Sequence, residues 1–315
     1  MSANVESEAV KDIMGVTIAI PAHNEEDGIA AILSAALTQD RRGYVLERIV
    51  VILDGCTDRT EEIVKRISRE NPIVELACDG RRLGKSARMN EMFRLNRSDA
   101  LVVIDADLAF APDLVAELVA PFSDDQVGVV AANNRPALPP RTVLERLLIA
   151  RDAWWYDVRH DFNGGDNPDN SPGQCYAFSR KFAETLVFPD GLMHDHEFIY
   201  LMSMEFGMKF IFAERAKVIY REVTNWKELV VRARRHAHVD AVDMARFHFD
   251  KKDIPVIPTG RKLVGIVRMF FREPIPVAFG VMLLIAAIKI AVMMGDDNPI
   301  HSQGLWERSE STKHA

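Results

Sequence analysis

Short apolar runs alternate with helical patterns along the first half of the chain. Five runs between residues 16 and 131 predict β-strands: 16–20, 48–53, 73–76, 101–104 and 127–131. Helical patterns separate them, over 28–37, 57–68, 87–95 and 112–119. This alternation predicts an α/β fold with a mostly parallel sheet covered by helices on both faces. Binding residues are then expected at the carboxyl ends of the strands.

The pattern is less regular after Pro139 and Pro140. It predicts helices over 141–156, 180–186, 196–206 and about 226–247, with strands over 174–178 and near Phe210 and Val218. Residues 161–173 are rich in Gly, Asn, Asp and Pro, which is typical of a loop. Such a loop could close over a substrate or could be an ordinary surface connection, and the sequence leaves both open.

Composition excludes several classes of protein. The net charge of the 315 residues is -7, which does not favour a nucleic-acid-binding surface. The three cysteines lie far apart without CxxC spacing, so buried free thiols in a reducing compartment are expected. The first residues are polar and acidic, unlike a secretory signal.

The carboxyl-terminal part has a different character. Residues 261–272 mix four cations with bulky apolar side chains, a composition that suits a helix lying in a membrane interface. Residues 277–294 are apolar apart from Lys289, and their length is at the lower limit for a membrane span. A span, an interface helix and a buried core helix all remain possible. The cations before this segment favour a catalytic domain on the cytoplasmic side.

These features divide the chain into five predicted parts. They are a disordered amino terminus over 1–15, a catalytic domain over 16–250, an amphipathic interface region over 251–274, a candidate membrane segment over 275–294 and a polar tail over 295–315.

Asp105 and Asp107 directly follow an apolar strand, so both carboxylates emerge at a strand end. Residues two apart in an extended segment point to one side. Two carboxylates on one side can hold Mg²⁺ or Mn²⁺ together with diphosphate oxygens. A helix cap or a solvated turn is the alternative, since this three-residue pattern is common.

Three other strand ends or helix starts carry polar motifs. The first strand ends in PAHNEE, where Pro21 stiffens the exit, His23 can stack on a base and Glu25 can fix the loop. The second ends in DGCTDRT, where Asp54 can accept a hydrogen bond from a uracil ring. Lys85 follows a glycine at a helix start and can meet a phosphate. Each motif alone also fits capping or a solvated side chain.

In this order, PAHNEE, DGCTDRT, GKSARMN and DAD resemble the motifs of the inverting glycosyltransferase family 2. The resemblance covers about 16–236 and implies a GT-A fold, a nucleotide-sugar donor and a divalent cation. It implies donor binding by Pro21, His23, Glu25, Asp54, Lys85 and Asp105, and metal binding by Asp107. The family usually has two aspartates before the glycine, whereas this chain has Leu53 and Asp54.

The second half resembles the polysaccharide synthases of that family. MHDHEF lies where those proteins have TED, which implies that Asp195 is the general base. RARRH lies where they have QxxRW, which implies donor binding by Arg235 and acceptor binding by His236, with Gln174 also assigned to the acceptor. Histidine in place of tryptophan argues against processive synthesis. Asp195 could alternatively cap the following helix.

The resemblance implies a hexosyl- or N-acetylhexosaminyltransferase of exopolysaccharide biosynthesis. Its donor would be a nucleotide sugar, most simply UDP-linked, and its acceptor a glycan or lipid-linked glycan. It would work at the cytoplasmic face of the inner (plasma) membrane, with a separate export or flippase partner and no nucleic acid. The alternatives are a polyprenyl-phosphate glycosyltransferase and an inactive sugar-nucleotide-binding scaffold subunit.

Overall fold

A computed structural model describes residues 14–189, 192, 195–234, 254–294 and 312. Its centre is an eight-stranded sheet in the order β3-β2-β1-β4-β7-β6-β8-β5. The strands are β1 (Met14–Ala22), β2 (Tyr44–Leu53), β3 (Val74–Cys78), β4 (Ala100–Ile104), β5 (Ala109–Phe110), β6 (Val127–Pro136), β7 (Cys175–Ser179) and β8 (Lys209–Tyr220).

The sheet has a parallel half and a mixed half. β3, β2, β1 and β4 are parallel neighbours, as the alternating pattern predicted. β7 runs antiparallel to both β4 and β6, and β6 runs parallel to β8. The two strands predicted near Phe210 and Val218 form the single strand β8. The two-residue strand β5 has no counterpart in the sequence prediction, because it is too short to carry a periodic pattern.

Ten helices surround or adjoin the sheet among the described residues. They are α1 (Ile29–Leu37), α2 (Thr60–Glu70), α3 (Lys85–Leu95), α4 (Leu114–Val119), α5 (Val143–Arg159), α6 (Arg180–Thr185), α7 (Asp195–Glu205), α8 (226–234), α9 (Thr259–Arg272) and α10 (Ile275–Met293). The predicted helix from Trp226 is described only as far as residue 234.

Alternate strand residues point to opposite faces, and each face has its own core. Ile18, Val51 and Val102 pack with α1, α2 and α4 on one face. Ala19 and Val103 pack with α3, α6 and α7 on the other. The prediction of helices on both faces is therefore confirmed.

A further helical layer lies beside this sandwich. Leu148 of α5 packs with α8 and α10, and Ala150 of α5 packs with Met269 of α9 and Val281 of α10. By length and composition α10 is apolar enough to cross a bilayer.

Cys56, Cys78 and Cys175 are free thiols, as predicted, but only Cys175 is buried. Cys56 is half-buried and Cys78, the last residue of β3, is exposed, so the prediction of burial is wrong for these two. The boundaries of the five predicted parts stay predictions, and most of the amino terminus and the polar tail lie outside the described residues.

Candidate active site

The motif-bearing loops meet at one edge of the sheet. β1, β2 and β4 run parallel and end at Ala22, Leu53 and Ile104. Because parallel strands place their carboxyl ends on the same side, the PAHNEE, DGCTDRT and DAD segments emerge together. This is the arrangement that the motif order predicted.

The first two loops are fastened to each other. Pro21 pairs with Ile52 in the last part of the β1–β2 register. Asn24 has a left-handed backbone (φ 56°), and its Oδ1 accepts a hydrogen bond from the Thr57 amide at 2.8 Å. The Glu25 amide donates to Thr60 Oγ1 at 2.7 Å. Pro21 and Glu25 thus lie at the predicted edge.

His23 links the same two loops through its ring. Nδ1 lies 2.6 Å from the Asp54 carbonyl, so Nδ1 carries the proton and donates. Nε2 then accepts from the Arg82 guanidinium. Burial lowers the pKa of His23 below its ordinary value, the Asp54 carbonyl opposes this, and Arg82 adds to the lowering. The ring is therefore neutral.

Asp54 holds the segment that leads into α3. Its carboxylate accepts from the Leu83 amide at 2.6 Å, from the Gly84 amide at 3.1 Å and from Arg88 Nε at 3.0 Å. A carboxylate can accept about four hydrogen bonds, so Asp54 could accept one more, from the nucleobase of the donor.

Arg88 is the main residue of this edge that the motifs did not reveal. Its side chain is only 1% exposed and also forms ion pairs with Asp79 and Glu91. It lies within GKSARMN, but nothing in the local pattern distinguishes it from a solvated arginine on a helix.

Lys85 lies between the carboxylates of Asp105 and Asp195 and pairs with both. Its Nζ lies 3.1 Å from Asp105 Oδ2 and 2.9 Å from Asp195 Oδ2, and it donates to the Gly173 carbonyl at 2.7 Å. Burial acts to lower the pKa of Lys85, but the two carboxylates raise it above its ordinary value. Residues 90 positions apart in the DAD and HDH segments thus share one cation.

Asp105 is half-buried beside β7. Its amide donates to the Gln174 carbonyl at 2.9 Å, and the Gln174 side chain accepts from Asn134 at the end of β6. Burial raises the pKa of Asp105 to about 7, against the opposing charge of Lys85 and with the help of Asp107 and Asp195. Gln174, assigned to the acceptor, therefore lies directly beside Asp105.

Asp195 is the first residue of α7, where a helix amino terminus favours negative charge. Burial acts to raise its pKa, but Lys85 and His196 hold it well below its usual range. Oδ2 forms the Lys85 ion pair without a well-aligned hydrogen bond to any described residue. An ionised carboxylate with free acceptor capacity is what a general base needs.

The loop 161–173 is held by buried amide side chains. Asn170 Nδ2 donates to the carbonyls of Arg159, His160 and Gly165, and Asn167 Nδ2 donates to those of Arg159 and Phe162. The loop ends at Gly173, whose carbonyl accepts from Lys85. These bonds support a fixed loop rather than one that closes as a whole.

Two assigned residues, Arg235 and His236, lie outside the described residues, as do Met193 and His194.

Comparison with known proteins identifies the family. The family model "Glycosyl transferase family 2" matches residues 17–187, a little over half of the chain. The chain belongs to glycosyltransferase family 2. All four motifs that carried the resemblance lie within the matched residues.

Curated relatives match part of the chain. An undecaprenyl-phosphate 4-deoxy-4-formamido-L-arabinose transferase of Pectobacterium atrosepticum is 28% identical over 133 residues, 41% of this chain and 40% of that protein. A poly-beta-1,6-N-acetyl-D-glucosamine synthase of Staphylococcus aureus is 28% identical over 127 residues, 40% of this chain and 30% of that protein. The chain thus matches less than half the length of these relatives.

Solved structures of glycosyltransferases share the fold. The mannosyltransferase PcManGT from Pyrobaculum calidifontis, in complex with GDP-Man and Mn²⁺, superposes with a TM-score of 0.58 at 20% identity, covering 89% of this chain and 83% of that one. The predicted GT-A fold is confirmed.

The acidic residues at the end of β4 fit a divalent cation. Asp107 is half-buried and makes no hydrogen bond or ion pair with any described residue, so its carboxylate is available. No group of three or more His, Cys, Asp and Glu side chains that could hold a metal occurs among the described residues. A metal held by Asp107, with Asp105 beside it, would take its remaining ligands from donor phosphates and water.

Proposed function

We propose that this glycosyltransferase transfers a hexosyl or N-acetylhexosaminyl group from a UDP-sugar to a glycan or lipid-linked glycan, with inversion, in exopolysaccharide biosynthesis. The observation that carries the proposal is the Lys85 ammonium, which lies within 3.1 Å of carboxylates from both the DAD and HDH segments. Donor-binding and base candidates thereby occupy one site.

Asp195 acts as the general base. The acceptor hydroxyl oxygen forms a bond to the anomeric carbon, the bond from that carbon to the diphosphate oxygen breaks, and the hydroxyl proton passes to Asp195. Lys85 keeps Asp195 ionised before donor binding. A general base of this kind contributes about 10²–10⁴ in rate.

The donor lies over the first half of the sheet. His23 and Asp54 hold the base, and Lys85 and Arg235 neutralise the diphosphate. Asp105 and Asp107 hold Mg²⁺ or Mn²⁺, which supplies positive charge to the leaving diphosphate. Gln174 and His236 contact the acceptor.

The chain works at the cytoplasmic face of the inner membrane. α10 supports this location, as do the cations of α9 that precede it.

A second candidate is transfer to a polyprenyl phosphate. The similarity to the undecaprenyl-phosphate transferase supports it. A detergent assay that compares polyprenyl phosphate with glycan primers separates the two acceptors.

A panel of nucleotide sugars incubated with purified protein and Mn²⁺ or Mg²⁺ tests the proposal through nucleotide release. We expect release from one UDP-sugar and loss of both activity and metal dependence in Asp107→Ala. Tight nucleotide binding without release from any donor, across glycan and polyprenyl-phosphate acceptors, would support the scaffold alternative instead.

A further inference from the structure

Helix α9 leaves one apolar face uncovered. Leu263, Val264, Val267 and Phe271 are 51–88% exposed. At about 100° per residue these positions lie within roughly 100° of the helix circumference. Gly265 and Met269 lie on the other side and are buried.

Helix α10 has the same construction. Its large exposed side chains are Ile275, Phe279, Leu283, Ile290 and Met293. These positions fall within roughly 80° of the circumference. Ala278, Val281 and Leu284, which lie opposite, are buried against the helical layer around α5.

The two faces belong to neighbouring helices. The rings of Phe270 in α9 and Phe279 in α10 meet edge to face with centroids 5.2 Å apart. Only residues 273 and 274 separate the helices, so a short turn joins the two faces. Together they present a larger exposed apolar surface than scattered side chains do.

The packing of α10 argues against a membrane span. A Cβ added to Gly280 would lie 2.7 Å from Leu147 of α5, so the two helices approach closely. Further along, Arg234 Nε donates to the Ala291 carbonyl at 3.1 Å. These two contacts lie about 11 residues apart, which is roughly 17 Å along the helix. A span would have to cross a hydrocarbon layer roughly 30 Å thick, so protein would cover more than half of that length.

A crossing α10 would carry its neighbours into the bilayer. Leu229 of α8 packs with Leu284 in the middle of α10, so the neighbouring Arg232–Glu222 ion pair would enter the hydrocarbon. Each charge at the bilayer centre costs about 2.5–3.5 kcal/mol or more. A helix lying in the plane of the interface keeps these groups on the aqueous side.

Charge indicates what covers the exposed face. α9 and α10 carry five cations, Arg261, Lys262, Arg268, Arg272 and Lys289, and no acidic residue, whereas the whole chain has a net charge of -7. Arg268 is exposed, borders the apolar face of α9 and makes no ion pair with any described residue. Arg261 and Arg272 pair with Asp161 and Asp157, whereas Lys262, Arg268 and Lys289 make no ion pair with a described residue. Anionic lipid headgroups complement these three cations, each contributing about 1 kcal/mol near the surface.

We propose that α9 and α10 together bind one leaflet of an anionic membrane as a monotopic attachment, with neither helix crossing it. The proposal rests on the membrane location in the proposed function and specifies the mode of attachment. The site is connected to these helices through α5, which packs against both of them and whose Arg159 donates a hydrogen bond to Asn170 of the loop that ends at Gly173.

Cysteine labelling in cytoplasmic-side-out membrane vesicles tests the topology. Val256→Cys precedes α9 and Met294→Cys follows α10, and both positions are exposed. Each is placed in a Cys78→Ser background, whose own labelling is subtracted. We expect an impermeant maleimide to label both positions equally without detergent. Labelling of Met294→Cys only after detergent would establish a span and overturn the proposal.

Vesicle flotation of the purified full chain tests the lipid partner. We expect binding to phosphatidylcholine vesicles that contain phosphatidylglycerol, and at least tenfold weaker binding for Val267→Ser with Phe271→Ser. Val143→Ser with Val187→Ser, which changes two exposed valines outside α9 and α10, is the matched control and should bind normally. Arg268→Gln should weaken binding several-fold.

Three results would contradict the lipid assignment. They are equal binding to vesicles without phosphatidylglycerol, unchanged binding of the double variant, and a dimer that depends on Phe271 without vesicle binding. Nucleotide release in detergent is measured on the same variants. If labelling shows a span while nucleotide release is normal, only the proposed mode of attachment is wrong. If labelling gives the expected result while no nucleotide is released, only the transferase proposal is wrong.

Discussion

The catalytic edge and the helical layer beside it are held together by different forces. At the edge, hydrogen bonds and ion pairs fix the loops after β1 and β2. Arg88 pairs with Asp54 and Asp79, and Lys85 pairs with Asp105 and Asp195. In the layer, α5, α9 and α10 meet mainly through apolar side chains and close glycine contacts, with ion pairs such as Arg146–Glu273 beside them. The difference indicates that the proposed chemistry and the proposed membrane attachment can be altered separately.

The largest effect is expected at the base. Asp195→Asn removes the proton acceptor but keeps the shape of the side chain, so turnover should fall by about two to four orders of magnitude. Nucleotide release under saturating donor measures this. The control is Asp125→Asn, which changes an exposed aspartate in the segment before β6 and should keep normal turnover. Near-normal turnover of Asp195→Asn would remove it from the mechanism.

Arg88→Met should destabilise the edge most. The substitution leaves Asp54 without its buried partner, and breaking a buried ion pair costs about 3–5 kcal/mol. Denaturant unfolding measures the change. Arg94→Met changes an arginine of the same helix that is exposed, and it should cost under about 0.5 kcal/mol. Equal costs for the two variants would mean that the Arg88 network does not stabilise the edge.

A substitution in α9 should affect the layer alone. A Cβ at Gly265 would lie 2.5 Å from Val158 Cγ2 and 2.9 Å from Trp154 Nε1, so Gly265→Ala should cost about 1–3 kcal/mol. Hydrogen exchange of α9 should increase while nucleotide release in detergent stays within about twofold. Gly260→Ala, with open space around it, is the control. A large loss of release in Gly265→Ala would show that the two regions are coupled.

The smallest effect concerns pH. The pKa of His23 is lowered on folding, so the unfolded chain binds this proton first as pH falls. Because protons then favour the unfolded chain, the folded state loses stability as the pH falls below about 6.5. His23→Gln can keep both hydrogen bonds without titrating, so its thermal midpoint should fall less between pH 7.5 and 5.5. The same fall in both proteins would contradict the assignment.

The sequence predicted the edge better than the layer, for a physical reason. Motifs such as PAHNEE and DAD follow strands directly, so the parallel order of β1, β2 and β4 is enough to bring them together. The roles of Arg88 and the Gly173 carbonyl could not be predicted, because they depend on contacts between distant segments. The sequence also left open the environment of α10, since apolar composition alone does not distinguish a span from an interface helix.

Calorimetric titration of UDP in the presence of Mn²⁺ tests the division of roles between Asp107 and Asp195 most directly. The account predicts that Asp195→Asn binds UDP with an affinity close to that of the unaltered protein. It predicts that Asp107→Asn loses the gain in affinity that Mn²⁺ gives. An unchanged Mn²⁺ effect in Asp107→Asn would contradict the central claim that the DAD segment holds the metal-bound diphosphate.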